Sequence, residues 1–569
     1  MIARLFFALL LLPAISTAAH AQGFLRTEGT RIVDGRGRPV LLRGVGLGGW
    51  MLQEGYMLQL GAVGQQHRIR AKLAQLVGPE RTAAFYRAWL DSYVTQADVD
   101  AIAAAGFNSI RLPLHYDLLT LPVEREPAPG RDTWLPDGFA RIDRLVGWAR
   151  AAGLYVILDL HAAPGGQGSD LPIADRDPAK PSLWDSPENR RKTVALWREL
   201  ARRYADEPAI GAYDLINEPN WDFSGPGGGH GCQEKDNASL RSLLREITAA
   251  IRSVDRRHML VIEGNCWGNN YAGVLPLWDG NTVLSVHKYW NRNDPASIAG
   301  WLRLRRETGA PLWLGETGEN SNAWYRDMVR LVEREGIGWA FWPWKKMGFN
   351  QPSEVSPNPG WAHIVAWMTG GGPRPSSREA EAALMRLAEH DIAYANTIKH
   401  PDVIDALMRQ PHSDAARPFA PPSRVVRAVD YDLGPPGVAY WDAVDANYHV
   451  ATGGERVAWN NGRTYRNDGV DIAREVGGRP FVEDFAPGEW LRYTVEARAG
   501  DRLALVAGAT GGRLSVALDG GSPVEIALPA GGGWRDVAVP GVRLRDGRNV
   551  VVVRALAGAN RLLALRLQR

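Results

Sequence analysis

The sequence predicts an α/β chain: a closed (β/α)8 TIM barrel followed by a C-terminal β-sandwich domain. Three observations carry this. Eight apolar runs rich in β-branched and aromatic residues alternate with amphipathic segments over roughly 300 residues, the repeat of a barrel rather than of an open sheet. Polar residues cluster just past the C-terminal ends of those runs, where a barrel gathers its functional groups. Near residue 424 the pattern changes to short β-type stretches separated by Gly, Asp and Asn turns.

Taken in chain order, Met1-Ile2-Ala3-Arg4 precedes an apolar run over residues 5–15 and then Ala19-His20-Ala21, ahead of Gln22. This is the layout of a signal peptide over residues 1–21. No later stretch holds the ~20 apolar residues that a membrane helix needs. The expectation is an exported protein, secreted or periplasmic, without a membrane span. Cys232 and Cys266 are the two cysteines. An oxidising compartment permits them to form a disulfide, and two unpaired thiols are the alternative.

The strand runs are residues 41–48, 107–114, 155–160, 210–216, 259–263, 282–287, 311–315 and 338–342, with segments such as 138–152 and 188–204 carrying helical periodicity between them. Near-continuous apolar strands alternating with helices mean a parallel sheet covered by helices. No Gly-x-Gly-x-x-Gly follows the first strand, which removes the usual dinucleotide site. Residues 370–377 are rich in Gly, Pro and Ser, residues 378–410 read as helical, and residues 411–423 carry Pro418-Phe419-Ala420-Pro421-Pro422. The expected division is a catalytic barrel over 22–410, a linker over 411–423 and a β-sandwich over 424–569. The 66 basic residues nearly balance 63 acidic ones, which excludes a nucleic-acid footprint. The 22 tryptophans serve either an aromatic core or platforms for sugar rings.

Glycoside hydrolysis needs two carboxyl groups flanking the scissile bond. Glu218, in Asn217-Glu218-Pro219, and Glu316, in Leu314-Gly315-Glu316, stand at the ends of the fourth and seventh runs, from which a closed barrel brings them into one cleft. Glu54 and Glu319 rank below them, because neither sits directly at a strand end. His and Asp do not cluster at metal-ligand spacing, so no metal is expected; double displacement through a glycosyl-enzyme needs no cofactor.

At these residues the chain resembles glycoside hydrolase family 5. The likeness covers residues 23–410 and rests on Arg43-Gly44-Val45-Gly46-Leu47-Gly48-Gly49-Trp50, Ile110-Arg111-Leu112-Pro113, Asp159-Leu160-His161, Ile216-Asn217-Glu218-Pro219, His287-Lys288-Tyr289-Trp290 and Phe341-Trp342-Pro343-Trp344-Lys345. It implies that Glu218 is the acid/base and Glu316 the nucleophile of a retaining enzyme. Arg111 would keep Glu316 ionised, Tyr289 would donate to it, and Asn217 would bond the sugar 2-hydroxyl. His161 and His287 would shape the reacting-sugar subsite, Trp344 would stack beneath the sugar with Trp342 as the alternative, and Trp50 and Trp267 would line neighbouring subsites. Gly48-Gly49-Trp50 with Glu54 resembles the exo-acting β-1,3-glucosidase branch, in which a Glu near the first strand binds the terminal sugar. The expected partner is therefore a β-glucan, β-1,3 and/or β-1,4 linked, cut by a monomer. Mannan, xyloglucan, a glycolipid head group and a non-catalytic glycan-binding protein are the alternatives. The insertion over residues 221–237 is expected to wall off one end of the cleft and favour exo action.

Residues 424–569 resemble a carbohydrate-binding module of family 6, through Ala428-Val429-Asp430-Tyr431-Asp432, Tyr465-Arg466, Asp468-Gly469-Val470-Asp471-Ile472 and Gly488-Glu489-Trp490-Leu491-Arg492-Tyr493. That likeness implies a sugar held between Tyr465 and Trp534 and hydrogen-bonded by Asn560. The chain departs from the pattern at Arg427 and Val429, where such modules carry a Glu for a structural calcium, and at Leu563, where an aromatic is usual.

Overall fold

The computed structural model describes residues 23–225, 227–421, 423–444, 446 and 465–569. The expected signal peptide lies outside the described residues. The predicted barrel is present. Its strands are β1 (Arg43–Gly46), β2 (Ser109–His115), β3 (Tyr155–Ala162), β4 (Ile210–Asp214), β5 (Met259–Glu263), β6 (Thr282–Lys288), β7 (Leu312–Gly318) and β8 (Gly338–Trp342). They pair in sequence order and β8 closes the ring on β1, every pairing parallel. All eight overlap the apolar runs, since strands buried on both faces must be apolar almost throughout.

A short antiparallel hairpin, Arg26–Glu28 with Arg31–Val33, precedes β1. Its Leu25 and Ile32 join Leu42, Ile157, Met259, Val261, Val283 and Trp313 in one buried cluster, so the hairpin plugs the barrel at the N-terminal ends of the strands. The opposite end is left free for the site. The helices that wrap the barrel start where the sequence offers caps: Ser186 accepts from the Asn189 N–H ahead of helix Pro187–Tyr204, and Ser321 accepts from the Trp324 N–H ahead of helix Asn322–Arg334. The β5–β6 crossover differs. Among the described residues it holds only the four-residue turn Asn265–Gly268 in place of a long helix.

Residues 378–410 do not form one helix. Helix Ser377–Arg386 ends in a wide turn, a two-residue strand Ile398–Lys399 joins a small sheet with Lys345–Met347 and Ser353–Val355, and helix Pro401–Ile404 follows. Beyond residue 424 two antiparallel sheets face each other around Tyr431, Val482, Leu491, Tyr493, Leu505, Val516 and Val553. The strands Trp490–Ala497, Arg502–Thr510, Arg513–Leu518 and Gly547–Ala557 contain the β-type stretches that the sequence shows over 490–497, 502–506, 513–518 and 550–555.

Candidate active site

The βα loops at the C-terminal ends of the strands enclose a cleft of about 650 Å³. Glu218 and Glu316 face each other across it: one oxygen of each, with a ring nitrogen of His287, lie within 4.8 Å of one another. His161, His287, Tyr289, Glu54 and Trp267, all singled out in the sequence, also line it.

Beneath the cleft floor lies Arg111, fully buried on β2. Its guanidinium bonds Glu316, donates to Asp214 at 2.8 and 2.9 Å, to the Asn217 side-chain oxygen at 2.8 Å and to Glu263 at 3.1 Å, and stands 3.2 Å from Asp159. Four buried carboxylates share the Arg111 guanidinium, and the His287 ring stands 3.2 Å from Glu263. Burial drives Asp159 and Asp214 well above the usual carboxylate range, against the pull of the Arg111 charge. Arg111 thus holds Glu316 within a network that already has its counter-charge in place.

The two carboxyl groups of the cleft sit in different surroundings. Burial pushes Glu218 up to about 7, against the pull of its His287 hydrogen bond, and the charges of Glu316 and Glu263 add to the rise. Glu316 receives Arg111 on one oxygen and the Tyr289 hydroxyl, at 2.7 Å, on the other. Two acids with environments this unlike are suited to different roles.

The imidazoles are fixed in opposite states. Burial lowers His161 to about 3, so it is neutral; Nδ1–H donates to Asp159 at 2.7 Å and Nε2 accepts from Asn217 at 3.2 Å. Burial opposes the charge on His287, yet the carboxylates of Glu263, Glu316 and Glu218 raise it well above its ordinary value. His287 Nδ1 bonds Glu218 Oε1 at 2.6 Å. Glu218 itself has a left-handed backbone, φ 42°, and its N–H donates to Glu263 at 2.7 Å. Strain of this kind persists only where neighbours over-determine it. Gly315 supplies room for His287, since a Cβ there would lie 3.1 Å from its Nε2 and 2.2 Å from the Ser285 oxygen.

Two tryptophans are corrected. Trp344 is not in the cleft: the strand ends at Trp342, and the Trp344 side chain turns into the helix layer, where Nε1–H donates to Asp98 at 3.0 Å and the ring stacks on Tyr394. Trp342 takes the cleft position, parallel to the His161 ring at 5.4 Å with Nε1–H donating to Tyr56 at 2.9 Å. A Cβ on Gly46 or Gly48 would lie 2.5 or 2.6 Å from that indole, so the glycines of the β1 motif exist to admit it. Trp50 is also outside the cleft, buried against helix Pro79–Ser92 with Nε1–H on the Leu90 carbonyl. Arg111 and Asn217 lie under the floor rather than in its lining.

Sequence reasoning missed Asp159, Asp214 and Glu263, whose signal was a charge inside an otherwise apolar strand, and Tyr56, Asp170 and Trp301, which the segments between the strands bring to the lining, Trp301 from helix Ala299–Thr308. Glu54 is buried in the cleft wall, driven well above the usual carboxylate range by burial and then by the charges of Glu316, Glu218 and Glu319. Glu319 lines the same wall and pairs with Lys346 at 2.9 Å. Cys232 and Cys266 form a disulfide at the cleft edge that ties the 221–237 insertion to the turn after β5. Two trios have metal-ligand geometry, Asp159 with His161 and Glu316, and Glu218 with His287 and Glu316. Their atoms are already engaged with one another or with Arg111, so an ion would have to displace those bonds.

Comparison with known proteins agrees with this geometry. Residues 71–348 match the profile of cellulase (glycosyl hydrolase family 5). A probable glucan 1,3-beta-glucosidase A of Emericella nidulans is 31% identical over 391 residues, covering 59% of this chain and 90% of the relative. The chain belongs to glycosyl hydrolase family 5. Other relatives of this family-5 chain are a beta-xylosidase of Phanerodontia chrysosporium, 29% identical over 59% of this chain and 73% of the relative, and endoglucanase C of Acetivibrio thermocellus, 24% identical over 47% and 88%. Among the described residues no helix is long and apolar enough to cross a membrane.

In the C-terminal sandwich each of the three expected sugar ligands is engaged with protein groups of its own. Asn560 is corrected: it is fully buried, and its amide donates to the carbonyls of Phe485, Ala557 and Gly558. Tyr465 bonds Asp430 and Arg427, and its ring lies near Phe419. Trp534 is half-buried, edge-on to Phe481, with Arg561 over its ring and Nε1–H on Glu475.

Proposed function

We propose that this glycosidase is an exported, retaining enzyme that removes sugar from the end of a β-glucan, with Glu218 as acid/base and Glu316 as nucleophile. The observation that carries the retaining assignment is the closeness of the two carboxyl groups, one oxygen of each lying within 4.8 Å of the other. Inverting enzymes hold theirs about 6.5–9.5 Å apart to admit a water between them, and retaining ones about 5–5.5 Å apart. In the first step Glu218 gives its proton to the glycosidic oxygen while Glu316 attacks the anomeric carbon. The leaving sugar departs as an alcohol and a covalent glycosyl-Glu316 ester remains. Glu218, now ionised, takes a proton from water; the resulting attack on the anomeric carbon releases the sugar and restores both groups. Trp342 supplies the stacking face for that sugar, and Asn217 together with the charged His287 fixes the polar surroundings.

The preference for chain ends is supported by the walls. Glu54, Pro172, Ile173 and Cys232 of the disulfide-anchored 221–237 insertion all line the cleft, and a buried carboxyl such as Glu54 is suited to bond the hydroxyls of a terminal sugar. The disulfide itself supports an oxidising compartment. The reading of the sandwich as a glycan-binding module of family 6 type rests on its sequence likeness and, of its proposed ligands, on Trp534 alone.

Incubation of the protein and its Glu316→Gln variant with laminarin, carboxymethylcellulose, mixed-linkage glucan and mannan, with products resolved over time, tests the proposal. Glucose from laminarin, lost in the variant, is the expected result. A ladder of oligosaccharides would replace exo with endo action. Faster turnover of an aryl β-xyloside than of the β-glucoside would replace the sugar.

A further inference from the structure

The C-terminal sandwich touches the barrel where the nucleophile is held. After β7 the chain passes from Glu316 through Asn320 to Ser321, the cap of helix Asn322–Arg334. The first N–H groups of a helix have no partner inside it. Here the Asn322 N–H donates to the backbone carbonyl of Asn467, a residue of the sandwich, at 2.7 Å. Asn467 is buried, and its Nδ2 donates to Asn350 Oδ1 at 2.6 Å. Asn350 follows β8 and is left-handed, φ 70°, a conformation that a non-glycine residue keeps where its neighbours hold it. Its carbonyl accepts the Tyr325 hydroxyl at 2.9 Å. The Tyr325 hydroxyl oxygen in turn accepts the Asn320 N–H at 2.8 Å, and the Asn320 side-chain amide donates to the Tyr289 carbonyl at 3.0 Å. Tyr289 then donates to Glu316. The chain of contacts thus runs from Asn467 through Asn350, Tyr325, Asn320 and Tyr289 to the nucleophile, with every link but Tyr289 buried.

We propose that the C-terminal sandwich completes the catalytic centre, Asn467 acting as a positioning residue that fixes Asn350 and, through Tyr325 and Asn320, the Tyr289 hydroxyl on Glu316. The sandwich is then part of the enzyme's working geometry, whatever it does with polysaccharide. This rests on Glu316 being the nucleophile. The gain is orientation: a catalytic group misplaced by about 1 Å can lose 100-fold in rate, so even partial loosening is measurable.

The test uses the full chain and a nitrophenyl β-glucoside, a soluble substrate too small to reach a tethering surface. For Asn467→Ala the expected result is a fall in kcat of about tenfold with KM within about twofold of wild type. Tyr325→Phe, which removes one hydroxyl and keeps the ring, should lose kcat in the same sense, and it decides the matter should Asn467→Ala fail to fold. Asn350→Gly, which favours the left-handed backbone without a side chain, should lose less than Asn350→Ala. Unchanged kcat in folded Asn467→Ala or in Tyr325→Phe would overturn the proposal. Abolished turnover in Glu316→Gln reports on the underlying assignment separately, and a Glu316→Gln enzyme as active as wild type would overturn both.

Discussion

At the scale of single residues, the decisive fact is that two glutamates of equal intrinsic acidity are made unequal by their neighbours. Glu218 must be protonated to act as an acid. With burial raising it to about 7, activity is retained up to near-neutral pH and lost above it, whereas an unshifted carboxyl would lose the proton near pH 4.5. The basic limb of the kcat/KM profile should therefore fall near pH 7 and disappear in Glu218→Gln when an aryl glycoside with a good leaving group removes the need for an acid. A profile already falling at pH 5 would contradict this. The tryptophans give a second prediction. Trp342→Ala should lower kcat/KM at least tenfold. Trp344→Phe should leave it within about threefold and lower the melting temperature, because Asp98 loses a buried donor worth roughly 1–3 kcal/mol. Glu218 and Glu316 were legible in the sequence because each stands just past the end of an apolar run, 210–216 and 311–315. The choice of Trp342 over Trp344 was not, because it depends on where β8 ends and on the space that Gly46 and Gly48 leave across the barrel. Asp159, Asp214 and Glu263 could be seen only as charges in apolar strands until the guanidinium of Arg111 was placed among them.

At the scale of elements, the strands were readable because burial on both faces imposes one composition, whereas the loops that shape the cleft follow no such rule. The β5–β6 crossover shows the difference. In place of a helix it forms a turn in which Cys266 and Trp267 are both left-handed, φ 56° and 51°. The turn is held from outside: Asn265 bonds the Trp221 backbone and the Asn237 side chain, the Trp267 N–H donates to the Pro219 carbonyl, and the disulfide ties it to the insertion. Trp267 is thereby set at the cleft edge directly behind Glu218-Pro219. Replacing both cysteines by serine should cost roughly 3–4 kcal/mol of stability by the chain-entropy estimate for a loop of this length. It should also raise KM for oligosaccharides more than for an aryl glycoside, because the wall and the Trp267 platform lose their anchor while Glu218 and Glu316 keep their own supports. Chemical denaturation and paired KM values check the two halves, and equal KM changes for both substrates would count against the platform.

At the scale of the whole molecule, the question is whether barrel and sandwich are two machines on one string. A glycan-binding module on a flexible linker would share few buried contacts with its enzyme, and its removal would be silent on small substrates. The contacts observed are of another kind. Arg326, 2% exposed on the helix after β7, donates to the Gly434 carbonyl at 3.1 Å, and Asn322 and Asn467 are buried against each other. Buried polar groups that find their partners only across an interface make separation costly, since each left unsatisfied costs roughly 1–3 kcal/mol and a charged group more. The two units should therefore unfold together. Calorimetry of the full chain is expected to give one transition with calorimetric and van't Hoff enthalpies in agreement, and Asn467→Ala is expected to shift that transition down or split it. Two well-separated transitions in the wild type would mean that the interface holds little, and the sandwich would then be free to serve as a tether. No property of the sequence could have decided this, because Asn467 is an ordinary polar residue until the fold sets it against Asn322 and Asn350.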